Sequence, residues 1–111
     1  MLIYQLRIYE IFEANKLEFH ARFRDHALRI MKSYEFDIVA AWEARSQERT
    51  EFLYVVRWPD EATMKSHWAR FMADEEWQRI KQETAAVSGR LVGEIQERIM
   101  HEVEYSPRQW R

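Results

Sequence analysis

Apolar residues in this chain recur first at every second position and then at helical spacing. Two further runs of period two follow, then a second helical stretch, and last another run of period two. Strands repeat with a period of two and helices with a period of about 3.6, so the order reads β-α-β-β-α-β. Few folds accept that order. It predicts an α+β, ferredoxin-like βαββαβ domain with a four-stranded antiparallel sheet. Only two Gly and two Pro occur in 111 residues, so most of the chain must be regular structure with few tight turns.

Residues 2–11 place Leu2, Tyr4, Leu6 and Ile8 on one face, and Ile3, Gln5, Arg7, Tyr9 and Ile11 on the other. The first face is apolar and is expected to pack on helices, leaving the mixed face bare. Residues 14–34 read as a helix, opened by Asn15 or Glu13, with Phe19, Phe23, Ala27, Leu28, Ile30 and Met31 on its broad apolar side. Glu18, Arg22, Asp25, Arg29 and Lys32 fall on the opposite side. Residues 36–45 and 51–58 read as a hairpin joined by the polar stretch 46–50. Pro59 stops the second strand, and Asp60 is the expected N-cap of a helix over 61–73. Asp74 caps a further helical segment, and Gly89 is its expected C-cap.

Residues 91–104 alternate again, with Leu91, Ile95, Ile99 and Val103 on one face. Fourteen residues exceed the usual strand of about 5–6, which suggests that the strand's end pairs with another protomer. The bare, half-apolar face also needs a cover, and a second copy of the chain is the natural one. The expected organisation is one domain over residues 1–105, a tail over 106–111, and a homodimer.

Hydrophobic residues make up 47% and charged residues 32%, which is neither a disordered nor a membrane composition. The net charge of −2, with no basic block, argues against nucleic acid or an anionic membrane as partner. Cysteine is absent and the N-terminus lacks the pattern of a signal peptide, so a cytoplasmic setting is expected.

Several strings occur in a telling order: Tyr4-Gln5-Leu6-Arg7-Ile8-Tyr9-Glu10-Ile11, Phe23-Arg24-Asp25-His26-Ala27, Arg57-Trp58 and Asp74-Glu75-Glu76-Trp77-Gln78. Arg98-Ile99 and Tyr105-Ser106-Pro107 come after them. The ordered set resembles NIPSNAP-family proteins of the dimeric α/β-barrel superfamily, over nearly the whole chain. The resemblance implies two ferredoxin-like protomers whose sheets pack face to face as a barrel. It implies little chemistry, because most bacterial members have no assigned function. Superfamily relatives include cofactor-free monooxygenases, haem-degrading enzymes, lactone isomerases and binding modules. This chain departs from the family pattern at two points. Phe12-Glu13-Ala14-Asn15 stands where members often have a Pro-Gly turn, and Glu35 stands where a Gly is common.

Arg7, with Tyr9 on the same face, and Arg57 on the third strand are candidate ligand-binding residues. A guanidinium suits a carboxylate, phosphate or enolate. The plainer reading pairs Arg7, Arg57 and Arg98 with Glu10, Glu94 or Glu97. Trp42 is a candidate to pack on a planar ligand, and Tyr54, Trp58, Trp68, Phe71 and Trp77 could share such a pocket. Far more often such residues are core or dimer interface. His26 is the candidate proton carrier, and a boundary residue bonded to backbone or water is the alternative. His20 falls on the apolar side of its helix, where a buried imidazole needs a partner.

No cofactor and no metal site are expected. No two histidines share a helix at i, i+3 or i, i+4, cysteine is absent, and no acidic loop occurs. Haem is disfavoured, since His67 is the only candidate on its helix and lies on the polar flank. His101 stands alone. These residues predict a small-molecule-binding or interaction module. The alternative is a cofactor-independent monooxygenase or isomerase acting on a small aromatic or enolisable substrate. There Arg7 and Arg57 would hold anionic oxygen, His26 would move a proton and Trp42 would pack on the ring.

Overall fold

The computed structural model describes residues 2–107. Its strands are β1 (Ile3–Ile11), β2 (Asp37–Arg45), β3 (Thr50–Trp58) and β4 (Val92–Met100). They form one antiparallel sheet in the order β2-β3-β1-β4, the ferredoxin-like arrangement. The helices are α1 (Lys16–Arg22), α2 (Leu28–Ser33), α3 (Glu61–Met72) and α4 (Glu75–Ser88). A five-residue π-helical segment, Phe23–Ala27, joins α1 to α2 without a break. Among the described residues no helix is long and apolar enough to cross a membrane. Residues 108–111 of the expected tail lie outside the described residues.

Local chemistry accounts for most of the element ends. The side chain of Asp60 accepts the Thr63 N–H at 2.7 Å, and that of Asp74 accepts the Trp77 N–H at 2.8 Å. Each satisfies a backbone donor that its helix cannot. Gly89 closes α4 with a φ of 76°, open to glycine at no steric cost. Asn15 occupies the N-cap position of α1 but makes no capping bond. Its amide instead donates to the Ser88 and Arg90 carbonyls at 3.0 and 2.9 Å, tying the start of α1 to the end of α4.

Helix α2 ends in a Schellman motif. The Phe36 N–H reaches the Met31 carbonyl at 3.1 Å, and the Glu35 N–H reaches the Lys32 carbonyl at 2.9 Å. That motif demands a left-handed residue, and Glu35 supplies it at a φ of 64°.

The core lies between the helices and one face of the sheet. Thr50, Phe52, Tyr54, Val56 and Trp58 of β3 are all buried there. Phe19 and Phe23 pack edge-on against Phe52, and Phe36 packs against Trp58, Trp68 and Phe71. Each fully buried side chain of this size contributes roughly 1.5–3 kcal/mol. The π segment aligns Phe19, Phe23 and Ala27 in one buried row and leaves Leu17 exposed and Leu28 at the margin.

Two expectations are corrected. Ile3, Gln5, Arg7, Tyr9 and Ile11 are the residues of β1 that face the helices, since they pair with the buried residues of β3. The apolar face of Tyr4, Leu6 and Ile8 is the open one. Alternation reveals two faces but not which is covered, and here the polar groups turn inward because the helix layer and β3 supply partners for them. Second, β4 runs over the nine residues Val92–Met100, so its length offers no argument for pairing between protomers.

The open face is more apolar than expected. It carries Tyr4, Leu6 and Ile8 beside Leu53 and Val55 of β3, with Trp42 of β2 opposite Leu53. Trp42 is 46% exposed. Residues 101–103 and Ser106 share a cavity of about 330 Å³ with Tyr4, Trp42 and Val55 at one end of this face.

Candidate functional site

The inward polar face of β1 makes a layered site. Gln5 is almost wholly buried, and its Oε1 accepts the indole N–H of Trp58 at 2.9 Å and of Trp68 at 2.7 Å. Its amide nitrogen donates to Glu97 of β4. Two residues further on, Arg7 donates through Nη1 to Glu97 at 3.4 Å and through Nη2 to the Tyr9 hydroxyl at 3.3 Å. The Arg7 Nε is buried and has no hydrogen-bond partner among the described residues. The guanidinium lies 4.4 Å from the centroid of the Trp68 ring and 5.3 Å from that of Tyr9.

Arg7 and Tyr9 open onto a cavity of about 200 Å³ between helices and sheet. Arg22, Trp68, Trp77 and Lys81 also line it. Arg22 and Lys81 lie over the Trp77 ring, at 5.4 and 5.8 Å from its centroid. Three cations thus meet at one aromatic-walled space, and no carboxylate is among the residues that line it. Burial opposes the charge on Arg7, but the Tyr9 and Tyr54 oxygens outweigh it, and the guanidinium's pKa is raised. Burial lowers that of Arg22. It also pushes the Tyr54 hydroxyl well above the usual range, and Tyr9 adds to the shift.

The candidate residues divide between the sheet's two faces. Arg7 and Tyr9 line the helix-side cavity. Trp42 and Arg57 stand on the open face, where Arg57 Nε donates to Asp37 at 2.7 Å. His26 lines no part of the helix-side cavity, and its Nδ1 lies 3.4 Å from Arg29 Nη2. His20 Nε2 sits 2.8 Å from Glu43 of β2 and bridges helix to sheet. His67 meets the Trp58 ring edge-on, and its Nδ1 is buried without a partner among the described residues. His101 is exposed beyond β4. Among the described residues no cluster of side chains has the make-up of a metal site.

Arg22 and Lys81 were not legible as site residues. Arg22 falls on the polar side of an ideal helical wheel, and the π segment right after it shifts that phase. Lys81 follows Trp77 by one helical turn, and that i, i+4 spacing was the signal available. A larger groove, about 850 Å³, runs between β2 and the π segment. Its His20 is paired with Glu43 and its Arg24 with Asp25 at 2.8 Å, and Asp37 adds a carboxylate to a lining that also holds Lys32, so it suits an anion less well than the smaller cavity.

Comparison with known proteins places the chain. The NIPSNAP family pattern matches residues 4–107. No curated protein matches. A NIPSNAP family protein from Agrobacterium tumefaciens superposes with a TM-score of 0.83 at 15% identity, covering 98% of this chain and all of that one. An uncharacterised NIPSNAP-like domain protein from Burkholderia xenovorans gives 0.80 at 18% identity, covering 96% and 90%. The cofactor-independent oxygenase SnoaB from Streptomyces nogalater gives 0.58 at 12% identity, covering 96% and 98%. These structural likenesses show the fold, and the SnoaB likeness does not favour an oxygenase reading. With the match running almost from end to end, the chain belongs to the NIPSNAP family.

Proposed function

We propose that the protein is a homodimer that binds one small planar anion per protomer in the cavity between helices and sheet. The observation that carries this reading is the Arg7 guanidinium, part-buried against Trp68 with its Nε unspent, in a cavity that Arg22 and Lys81 also line and no carboxylate enters. Cations held in a partly desolvated place attract an anion more strongly than surface ones do. Aromatic walls suit a flat body. The volume of about 200 Å³ is below the usual range of about 300–1,000 Å³, which limits the ligand to about one ring.

The dimer reading rests on the open face. Leu6, Ile8, Leu53, Val55 and Trp42 make an apolar surface that a second copy of the same face would cover. Trp42 and Arg57 then belong to the interface, and Arg7 and Tyr9 to the ligand. The absence of cysteine agrees with a cytoplasmic setting. Binding without turnover is the reading favoured here, because His26 lies off the cavity.

Calorimetry with 4-nitrobenzoate tests the ligand reading. Binding at millimolar or lower concentration, weakened at least about tenfold by Arg7→Met, is the expected result. Equal binding by the wild type and the variant would remove Arg7 from the site.

A further inference from the structure

We infer that the cavity takes the deprotonated oxygen of a weak oxygen acid, a phenol or an enol, and that the Tyr9 hydroxyl donates the hydrogen bond that holds it. This rests on the small-anion reading above and narrows the class of ligand.

The hydroxyls of Tyr9 and Tyr54 are 2.5 Å apart, so one donates to the other. Arg7 can only donate, and it gives to the Tyr9 oxygen at 3.3 Å. Tyr54 is wholly buried, and the Tyr9 hydroxyl is the hydrogen-bond partner of its own hydroxyl among the described residues. If Tyr9 donated to Tyr54, the Tyr54 proton would be buried with no acceptor, which is costly. Tyr54 therefore donates to Tyr9. The Tyr9 oxygen then holds two incoming donors, from Tyr54 and Arg7, and its own proton has no acceptor among them.

Tyr9 is only part-buried and lines the cavity, so that proton is available to an occupant. Donors in series polarise one another, and the chain begins at a positive charge.

Tyr9 offers a single directed O–H rather than a two-pronged fork, and Arg7, which spends one N–H of Nη1 on Glu97 and one of Nη2 on Tyr9, supplies positive charge behind it. A phenolate or enolate concentrates its charge on one oxygen. The charged groups around that oxygen are Arg7 of β1, Arg22 of α1 and Lys81 of α4, with Glu97 of β4 behind Arg7 as the acid. The balance favours the ionised ligand. Tyr54 is a positioning residue here, fixing which way the Tyr9 proton turns.

The test uses 4-nitrophenol, whose absorbance reports its own ionisation, titrated with pH in the presence of the full chain. The apparent pKa of the bound phenol is expected to fall by at least about one unit, a tenfold preference for the phenolate. Tyr9→Phe should abolish the shift, and Tyr54→Phe should diminish it, with folding of both checked by circular dichroism. A bound phenol whose pKa is unshifted, or a shift that survives Tyr9→Phe, would overturn the inference. If 4-nitrobenzoate binds in either case, the broader reading stands. Failure of both compounds to bind at millimolar concentration would overturn both.

Discussion

Arg7 and Trp68 are in face contact, the guanidinium carbon 4.4 Å from the indole centroid, on the covered side of the sheet. A cation over an indole is attracted by about 0.5–2 kcal/mol, most when water is excluded. The contact joins β1 to α3 and leaves the charge facing the cavity rather than solvent. Replacing Trp68 with Leu would remove both the ring face and the N–H that Gln5 accepts. Affinity for 4-nitrobenzoate is expected to fall about tenfold or more in calorimetry. Unchanged affinity would show that the ring does not hold Arg7 in place.

Gln5 anchors the same layer. Its one carbonyl oxygen satisfies two indole donors, of which Trp58 is 1% exposed. Gln5→Leu would leave both N–H groups without this acceptor, that of Trp58 in a buried place and that of Trp68 in a part-buried one. A buried donor left unpaired costs about 1–3 kcal/mol and the part-buried one of Trp68 less, so urea denaturation should show a loss of about 2–4 kcal/mol. A loss below about 1 kcal/mol would show that the indoles find other partners.

Glu35 holds a left-handed backbone position that closes a Schellman motif. Glycine adopts that conformation without the Cβ clash, at some entropic cost to folding. Glu35→Gly is expected to raise stability by about 0.5–1 kcal/mol, read as a higher urea midpoint. A lower midpoint would mean that the Glu35 side chain contributes more than its backbone strain costs.

Thr50 and Glu13 set an acid response. The Thr50 hydroxyl, followed by Arg45, holds the Glu13 carboxyl down to about 2 from an ordinary 4.5. A folded pKa below the unfolded one adds stability above the unfolded value, and that contribution is lost as pH falls through the folded one. The contribution of Glu13 should therefore fade between about pH 4.5 and 2. Carbon-13 NMR of Glu13 should titrate near the lower value, and Thr50→Val should move it up toward 4.5. A midpoint near 4.5 in the wild type would contradict the contact.

These residues also show where the sequence is readable. Asp60, Asp74 and Gly89 act through backbone groups a few residues away, so their roles as caps follow from local order alone. The element order and the resulting ferredoxin-like sheet follow from apolar period. The facing of β1 does not. Gln5, Arg7 and Tyr9 look like solvent residues until their partners are known, and Trp58, Trp68 and Tyr54 lie more than forty residues away in sequence. The π segment that follows Arg22 is likewise invisible to an ideal wheel. Glu35 was marked by a departure from the family's usual Gly, and the left-handed φ gives that departure its physical meaning.

The proposal that a second copy covers the open apolar face, while the polar face turns to the helices, is tested most directly by mass in solution. Light scattering of the wild type at micromolar concentration should give twice the chain mass of 13.7 kDa. Val55→Asp, a charge placed at the middle of the open face, should give the single-chain mass with circular dichroism unchanged. A wild-type mass of 13.7 kDa at that concentration would contradict the account.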